Sequence, residues 1–371
     1  MILNKEDALY CARIFQDYFD NFDRIDDYMR NQKKMQIDAI GATLPGMGPE
    51  DDLFDDYTMN PEDMEFDVQL MPGSRWNDYV KIISSHTITA SIPGRNAQFS
   101  VIEKNSGKIV GFIRLGSPLI NCKPRNEMLG QVFTQSKELA SNFNRTAAMG
   151  FTIVPAQPFG YNYLGGKLLA AICTSHEVRE IVNKKYGMNL CLFETTSLYG
   201  SSKAASQYDG MKPLLRFKGL TDSNFIPMMH GKPYEDLKSY VENAIGVFVP
   251  EDASSRKMKI SNTIIAMTKA SLKGTPEGEK FNKTIENALS LTEKKRYYAS
   301  NYGFSNFTDV VMGRADKLIP DKENYDKHYL ENIIEWWKKK ATNRYETLKA
   351  ENRIRQEIEV WTGEKELDII R

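Results

Sequence analysis

Phe99-Ser-Val-Ile-Glu103, Lys104-Asn-Ser-Gly107 and Lys108-Ile-Val-Gly-Phe-Ile-Arg-Leu115 follow one another in the chain and decide its fold class. Two apolar, β-branched runs separated by an Asn-Ser-Gly turn predict strand, turn and strand, because Asn and Gly accept the backbone angles of a tight hairpin. Downstream, Phe151-Thr-Ile-Val-Pro155 predicts a short strand, followed by a Gly-rich turn and a helix from Tyr163 to Ser175. Cys191-Leu-Phe-Glu194 predicts a further buried strand. A hairpin, then strand, turn, helices and strand, is an α/β order, so the expected fold is a mixed sheet flanked by helices. Trp76 to Ser91 and Gln98 to Ile102, which precede and enter the hairpin, have β-branched residues near turn formers, as strands do.

Outward from this centre the texture changes. Over residues 4–38, Leu9, Ala12, Phe15, Phe19 and Phe22 recur at spacings of three and four, an amphipathic helix. Pro45-Gly46-Met47-Gly48-Pro49 breaks it, and the acidic stretch from Glu50 to Asp67 reads as linker. From Ala253 the signal is helical. Ile333, Trp337, Ala341, Tyr345 and Leu348 form one apolar stripe, continued with drift by Ile354, Ile358 and Trp361. Lys338-Lys339-Lys340 lies off the stripe as a solvated face. The expected division is an acidic helical arm and linker over 1–73, an α/β domain over 74–250, and a helical, mildly basic region over 251–371.

The chain has 371 residues with 49 Lys/Arg and 49 Asp/Glu, but the charge is uneven. Residues 1–72 hold 6 Lys/Arg and 17 Asp/Glu, a balance of −11, and residues 73–252 hold 20 and 14, a balance of +6. An acidic arm beside a basic body suits a cover over a nucleic-acid-binding face, and equally a solubilising tail. The four cysteines and four histidines are scattered without a CxxC pair, which argues against a disulfide scaffold and against a His/Cys metal site; none is assigned. The acidic linker lacks the loop pattern of an EF-hand. No signal-peptide core follows Met1 and no apolar run approaches the ~18 residues of a membrane span, so a cytoplasmic chain without membrane attachment is expected.

Several residues carry chemistry on their own terms. A strand running into Gly160-Tyr-Asn162 and then a helix presents backbone N–H groups and a helix dipole to a phosphate, with Asn162 as N-cap. Gln157, Gly160, Asn162, Gly165 and Gly166 are therefore candidate cofactor-binding residues; alternatively the glycines serve only tight helix–sheet packing. Glu194 ends an apolar strand, where partial burial would raise its pKa toward that of a base, or where it is simply a structural carboxylate. Tyr199 and Tyr208 flank the small-residue stretch from Gly200 to Ser206, as candidate acids or as core filler. Arg125 and Arg145 offer planar forks for phosphate, or ion pairs to Glu127 and Glu138. Lys295, Arg296 and Tyr298 mix cations with an aromatic, which suits unpaired nucleic acid, or a helix end with tyrosines tucked into the core.

Two resemblances meet over residues 99–219. The Ser100–Leu115 hairpin, the Phe151–Pro155 strand, the Gln157-Pro-Phe-Gly160-Tyr-Asn162 turn and Tyr208-Asp-Gly resemble the GNAT acyltransferase superfamily. There the turn takes a pyrophosphate, which implies acyl-CoA or a similar phosphate-bearing donor, and a tyrosine near the position of Tyr208 protonates the leaving thiolate. The closer resemblance is to the DruA-type domain of the Druantia anti-phage system, across roughly residues 74–225. It is carried by Arg125-Asn126 with Leu129-Gly130, by Asn144-Arg145, Phe151–Pro155 and Asn162-Tyr-Leu164, by Tyr186-Gly187 with Leu192-Phe-Glu194-Thr-Thr196, and by Gly200-Ser-Ser-Lys203-Ala-Ala-Ser206. The family's Asp, Cys and Arg are here Asn126, Ser202 and Lys203. The related Mom-type phage proteins modify adenine in DNA. The resemblance therefore implies a GNAT-like protein acting on DNA, with Glu194 as base, Tyr199 or Tyr208 as acid, and Lys203 among the nucleic-acid contacts. A non-catalytic binding module on the same fold, and an acyltransferase acting on a protein or small amine, are the alternatives.

Overall fold

A computed structural model describes residues 3–40, 52–84, 94–119, 121–197, 206–224, 228–253, 255–291 and 294–359. The chain divides into two compact units, one of residues 1–35 and 223–294, the other of residues 36–222 and 295–371. This does not follow the cuts at 73 and 250 expected from composition, because both units are built from segments far apart in sequence.

The larger unit carries a seven-stranded sheet in the order β1-β2-β3-β4-β5-β7-β6. Its strands are β1 (Phe66–Leu70), β2 (Asn96–Glu103), β3 (Lys108–Gly116), β4 (Ala147–Pro155), β5 (Leu192–Thr196), β6 (Arg216–Asn224) and β7 (Lys294–Ser300). The expected hairpin is β2–β3, and its turn is organised by a buried carboxylate. Glu103 accepts from the N–H groups of Asn105 (3.1 Å), Ser106 (2.7 Å) and Glu65 (3.2 Å), which offsets the cost of burying it. Gly107 closes the turn at φ 70, which only a residue without Cβ takes freely.

Strands β1 to β4 run antiparallel, β5 is parallel to β4, and β7 is antiparallel to β5. A parallel pair needs a crossover, and the helices Phe159–Tyr163, Gly165–Ile172 and His176–Tyr186 supply it. The β4–β5 ladder spans only Ala147↔Leu192 to Gly150↔Thr195, although β4 continues to Pro155. β5 ends at Thr196, one residue past the last pair, so β4 runs on without it.

The C-terminal stripe lies as expected: Ile333, Trp337, Ala341, Tyr345 and Leu348 are the buried face of the helix Leu330–Ala350. The indole N–H of Trp337 donates to the Tyr163 carbonyl at 2.8 Å, so a large apolar side chain is buried without orphaning its donor. Trp361 lies outside the described residues.

Four expectations are corrected. Residues 52–67 are not a linker, and residues 50 and 51 lie outside the described residues. Leu53, Phe54, Tyr57 and Met64 are buried, Phe54 packs edge-on to Phe159 at 5.5 Å, and Phe66 opens β1. The apolar residues are sparse among the acidic ones, yet each finds the core. Gly73–Ile83 is a helix, since Trp76, Tyr79, Val80 and Ile83 fall on one face at helical spacing; residues 85–91 lie outside the described residues. Lys294–Ser300 is the strand β7, inserted between β5 and β6, where a helix end was the expectation. The single helix read from Tyr163 to Ser175 is two, Phe159–Tyr163 and Gly165–Ile172, broken at Leu164, which sits at φ 55.

The smaller unit is helical. Lys5–Phe19 buries Ala8, Cys11, Ala12, Phe15, Tyr18 and Phe19, and Asn4 caps it by accepting from the Asp7 N–H at 2.8 Å. Its partners come from far along the chain. Phe15 meets Phe281 at 5.7 Å, Tyr10 stacks on Tyr240 at 3.9 Å, and the Tyr240 hydroxyl donates to Asp7 at 2.8 Å. The acidic N-terminal segment is thus half of a packed unit, held by the apolar face that its charge obscures.

Candidate functional site

Successive residues of a strand point to opposite faces of a sheet, and β5 uses this to separate two polar clusters. Glu194 lies on one face and Thr195 on the other.

On the first face Glu194 is 1% exposed. The Arg125 guanidinium donates to it at 3.3 and 3.5 Å, and the Tyr297 hydroxyl donates to it at 2.5 Å. Arg125 comes from the short helix Lys123–Leu129, and Tyr297 from β7, two positions along from Ala299, the cross-strand partner of Glu194. The guanidinium is held flat over the Phe143 ring at 4.3 Å and also donates to the Leu119 carbonyl at 2.6 Å. Burial pushes the Glu194 carboxyl up, while Arg125 and the Tyr297 hydroxyl pull it back toward the ionised form. Burial, then the adjacent Glu194, drives the Tyr297 phenol well above its ordinary range. Burial also pushes the nearby Cys122 thiol up to about 11, so it stays protonated at neutral pH. This cluster is sealed. Arg125, expected on a phosphate, has its charge met by Glu194 inside the protein.

On the second face Thr195 pairs with Tyr298, and the Tyr298 ring meets Tyr208 edge-on at 5.4 Å. The Tyr298 hydroxyl donates to Asp209 at 2.9 Å, and Arg296 donates to Asp209 at 3.1 Å and to the Tyr298 hydroxyl at 2.9 Å. Burial disfavours the charge of Asp209. The Ser206 N–H, Tyr298 and Arg296 outweigh it and hold the carboxyl below the usual carboxylate range. Lys167, from the helix Gly165–Ile172, donates to the Asp209 carbonyl at 2.6 Å and so fastens the 206–210 turn to that helix. The Tyr208 and Tyr298 rings are themselves buried, at 5% and 1% exposure, so neither presents a face for a base to stack on.

The structure thus brings Arg125 to Glu194, and Tyr208 to Arg296 and Tyr298, but it places Glu194 and Tyr208 on opposite faces of β5. Glu194 and Tyr208 therefore do not share a site. Tyr199 and Lys203 lie outside the described residues. Arg145 is exposed at the end of the helix Lys137–Thr146. Lys295 lies on β7, where burial lowers its pKa and its N–H donates to the Thr221 hydroxyl at 3.0 Å. Asp209 and Tyr297 were not singled out in the sequence. Asp209 had a signal in the Tyr208-Asp-Gly turn, whereas Tyr297 is defined only by its strand partner.

The Gly-rich turn is filled by the protein itself. A Cβ on Gly165 would meet Phe159 at 2.7 Å and Pro155 at 2.9 Å, one on Gly166 would meet the Gln207 side chain at 2.5 Å, and one on Gly160 would strike Gln157 and Pro155. The N–H groups of Gly160, Tyr161 and Asn162 donate to Ala156 and Pro158 carbonyls at 2.9 Å. Asn162 is not an N-cap. Its amide donates to the Arg355 carbonyl at 2.8 Å and accepts from the Arg355 N–H at 3.1 Å, while the Glu359 N–H donates to the Gln157 carbonyl at 3.0 Å. Arg355 lies over the Tyr161 ring at 4.2 Å and Arg353 donates to its hydroxyl at 3.0 Å. Residues 353–359 therefore strap the turn. The amides of Gly160, Tyr161 and Asn162 are thus taken and do not offer themselves to a phosphate-bearing acyl donor. Asn162→Ala removes the partner of the half-buried Arg355 backbone groups. We expect it to lower stability by about 1–3 kcal/mol and to speed tryptic cleavage after Arg353 and Arg355, read by mass spectrometry; unchanged cleavage would show that the strap does not depend on this pairing.

Among the described residues no helix is long and apolar enough to cross a membrane. Residues 27–206 match the family described as Druantia protein DruA, just under half of the chain. The match contains Arg125, Asn162 and Glu194 but stops short of Asp209, Arg296, Tyr297 and Tyr298. Over 106 residues the chain is 28% identical to the Druantia protein DruA of Escherichia coli (strain UMEA 4076-1), covering 27% of this chain and 25% of that protein. The chain thus spans about a quarter of the length of the curated relative it matches. No solved structure matches.

Proposed function

We propose that this chain is a DNA-binding protein of anti-phage defence, built on a GNAT-like sheet whose donor turn has been given over to internal packing. The observation that carries the reading is the filled turn. The amides of Gly160, Tyr161 and Asn162 are bonded internally, and Glu194 and Tyr208 stand on opposite faces of β5. The DruA match over residues 27–206 supports the defence role. The GNAT-like reading is supported by the hairpin, the following strand, the turn with its helices, and the strand β5 parallel to β4. The balance of +6 over residues 73–252 suits a polyanionic partner, with Arg145, Lys203 and Lys295 as its candidate contacts.

Binding of the full chain to labelled DNA at low salt tests this. Affinity that falls steeply with salt is expected, and no binding at about 50 mM salt would refute it. The strand–turn–helix order from Ala147 to Ile172 favours a second reading, modification of a DNA base by acyl-transfer-type chemistry, with the donor held away from the Gly160–Asn162 amides. Its test is nucleoside mass spectrometry on DNA from cells expressing the chain. A new nucleoside that disappears with Glu194→Gln would replace the binding reading with the enzymatic one, and unchanged DNA from well-folded protein leaves binding as the function.

A further inference from the structure

The sequence places its stacking candidate at Tyr298, but that ring is buried against Tyr208 and bonded to Asp209. The exposed aromatic is on the neighbouring strand. β6 ends the sheet, and on it Phe217 is 43% exposed and Leu220 38% exposed, an unusual place for two large apolar side chains. Phe217 is also held in position. The Arg296 guanidinium lies over its ring at 4.5 Å and the Tyr298 ring meets it edge-on at 5.7 Å. Arg296 is in turn fixed by Asp209, so the ring is backed by an ordered cation whose charge is already paired.

Either side of Phe217 on β6 are the cations Arg216 and Lys218, which alternation turns to the other face of this edge strand, so a ligand must reach round the edge to meet ring and cations together. Lys212 and Lys218 are exposed and Arg216 is half-buried; none of the three forms an ion pair among the described residues. Burial, and then Arg216 and Lys212, disfavour the charged form of Lys218, so Lys218 lies within electrostatic reach of both. The carboxylates nearby are Asp209, engaged by Arg296 and Tyr298, Asp222 on β6 itself, and Asp321, which feels Arg216. A surface that repels itself and carries an exposed ring matches a partner with regularly spaced negative charge and free π-faces. A duplex hides its base faces, whereas a single strand offers both features. A charged edge also discourages pairing with another strand.

We infer that the β6 edge of the sheet is a single-strand nucleic-acid site, with a base stacked on Phe217 and the backbone phosphates on Lys212, Arg216 and Lys218. The inference rests on the binding reading above and specifies its ligand.

Fluorescence anisotropy with the full chain tests it, using a labelled dT oligonucleotide of about 20 nucleotides and a duplex of the same length. The wild type should bind the single strand more tightly than the duplex. Phe217→Ala should weaken that binding about 10-fold, and Phe217→Trp should retain it. Lys212→Ala with Lys218→Ala should weaken it and flatten the salt dependence by about 1.4 in log–log slope, the value for two phosphate contacts on a single strand. Helical circular dichroism on each variant identifies misfolding, in which case Phe217→Trp and the lysine pair decide the matter. Failure of the wild type to bind either DNA overturns the binding reading and this site together. Single-strand binding that Phe217→Ala and the lysine pair leave unchanged overturns this site alone. A duplex preference, or a dimer in light scattering that Phe217→Ala dissociates, overturns it in favour of duplex binding or of a second copy on the β6 edge.

Discussion

Arg125→Met lowers the stability of the larger unit by about 3–5 kcal/mol, the loss expected when one partner of a buried ion pair is removed. The side chains of Arg125 and Glu194 are 0% and 2% exposed, so water cannot replace the guanidinium. The variant keeps an apolar side chain of similar length over Phe143, so the loss reports the charge more than the packing. Glu194 is left with Tyr297 as its donor in a site where burial alone already favours protonation. The double variant Arg125→Met with Glu194→Met removes the stranded charge and should recover most of the loss, since a buried pair and an apolar replacement are often nearly equivalent. Urea unfolding followed by tryptophan fluorescence measures both. A loss below about 1 kcal/mol for Arg125→Met, or a double variant no better than the single, would show that the pair does not hold this face together.

Acidification from pH 7 destabilises the protein through its buried histidines. His328 is fully buried, its Nδ1 faces the Thr174 carbonyl at 2.8 Å, and its Nε2 meets no hydrogen-bond partner among the described residues. Burial lowers its pKa from 6.5 to about 4, so the folded protein keeps the ring neutral where the unfolded chain takes a proton. A depressed folded value means that stability is complete above pH 6.5 and is lost as pH falls toward 4. At 1.36 kcal/mol per unit the loss is about 3 kcal/mol. In the smaller unit His230, whose Nδ1 lies 2.9 Å from the Lys257 ammonium, is lowered by burial and then by that cation, also to about 4, and adds a fall over the same window. Asp209, held below the ordinary carboxylate range, contributes only at lower pH. Urea midpoints measured from pH 7.5 to 4.5 should therefore fall steadily below pH 6.5, and His328→Gln should flatten the curve. A midpoint constant down to pH 5 would mean that these rings are hydrated and not buried neutral.

Much of this molecule was determined by local sequence. The hairpin at 96–116 follows from two β-branched runs and a turn with Gly107 at positive φ. The helix Leu330–Ala350 buries the stripe read from spacing alone, because helical period and core burial are both local properties of the chain. The acidic first turns said nothing of where the N-terminal helix packs. Phe15 finds Phe281 and Tyr10 finds Tyr240 across more than half the chain, and no pattern of adjacent residues encodes such a meeting. The candidate site divided in the same way. Glu194 was legible as a carboxylate ending a buried strand. Its partners were not, since Arg125 is brought by a distant helix and Tyr297 by a strand inserted out of sequence order between β5 and β6. Strand alternation then put Glu194 and Tyr208 on opposite faces, although both were read as one site. The sequence by itself determined which segments could be strand or helix and which side chains had chemistry to offer. Only the tertiary structure decided which of them meet, because side-chain direction depends on register and register is set by packing between segments far apart in the chain.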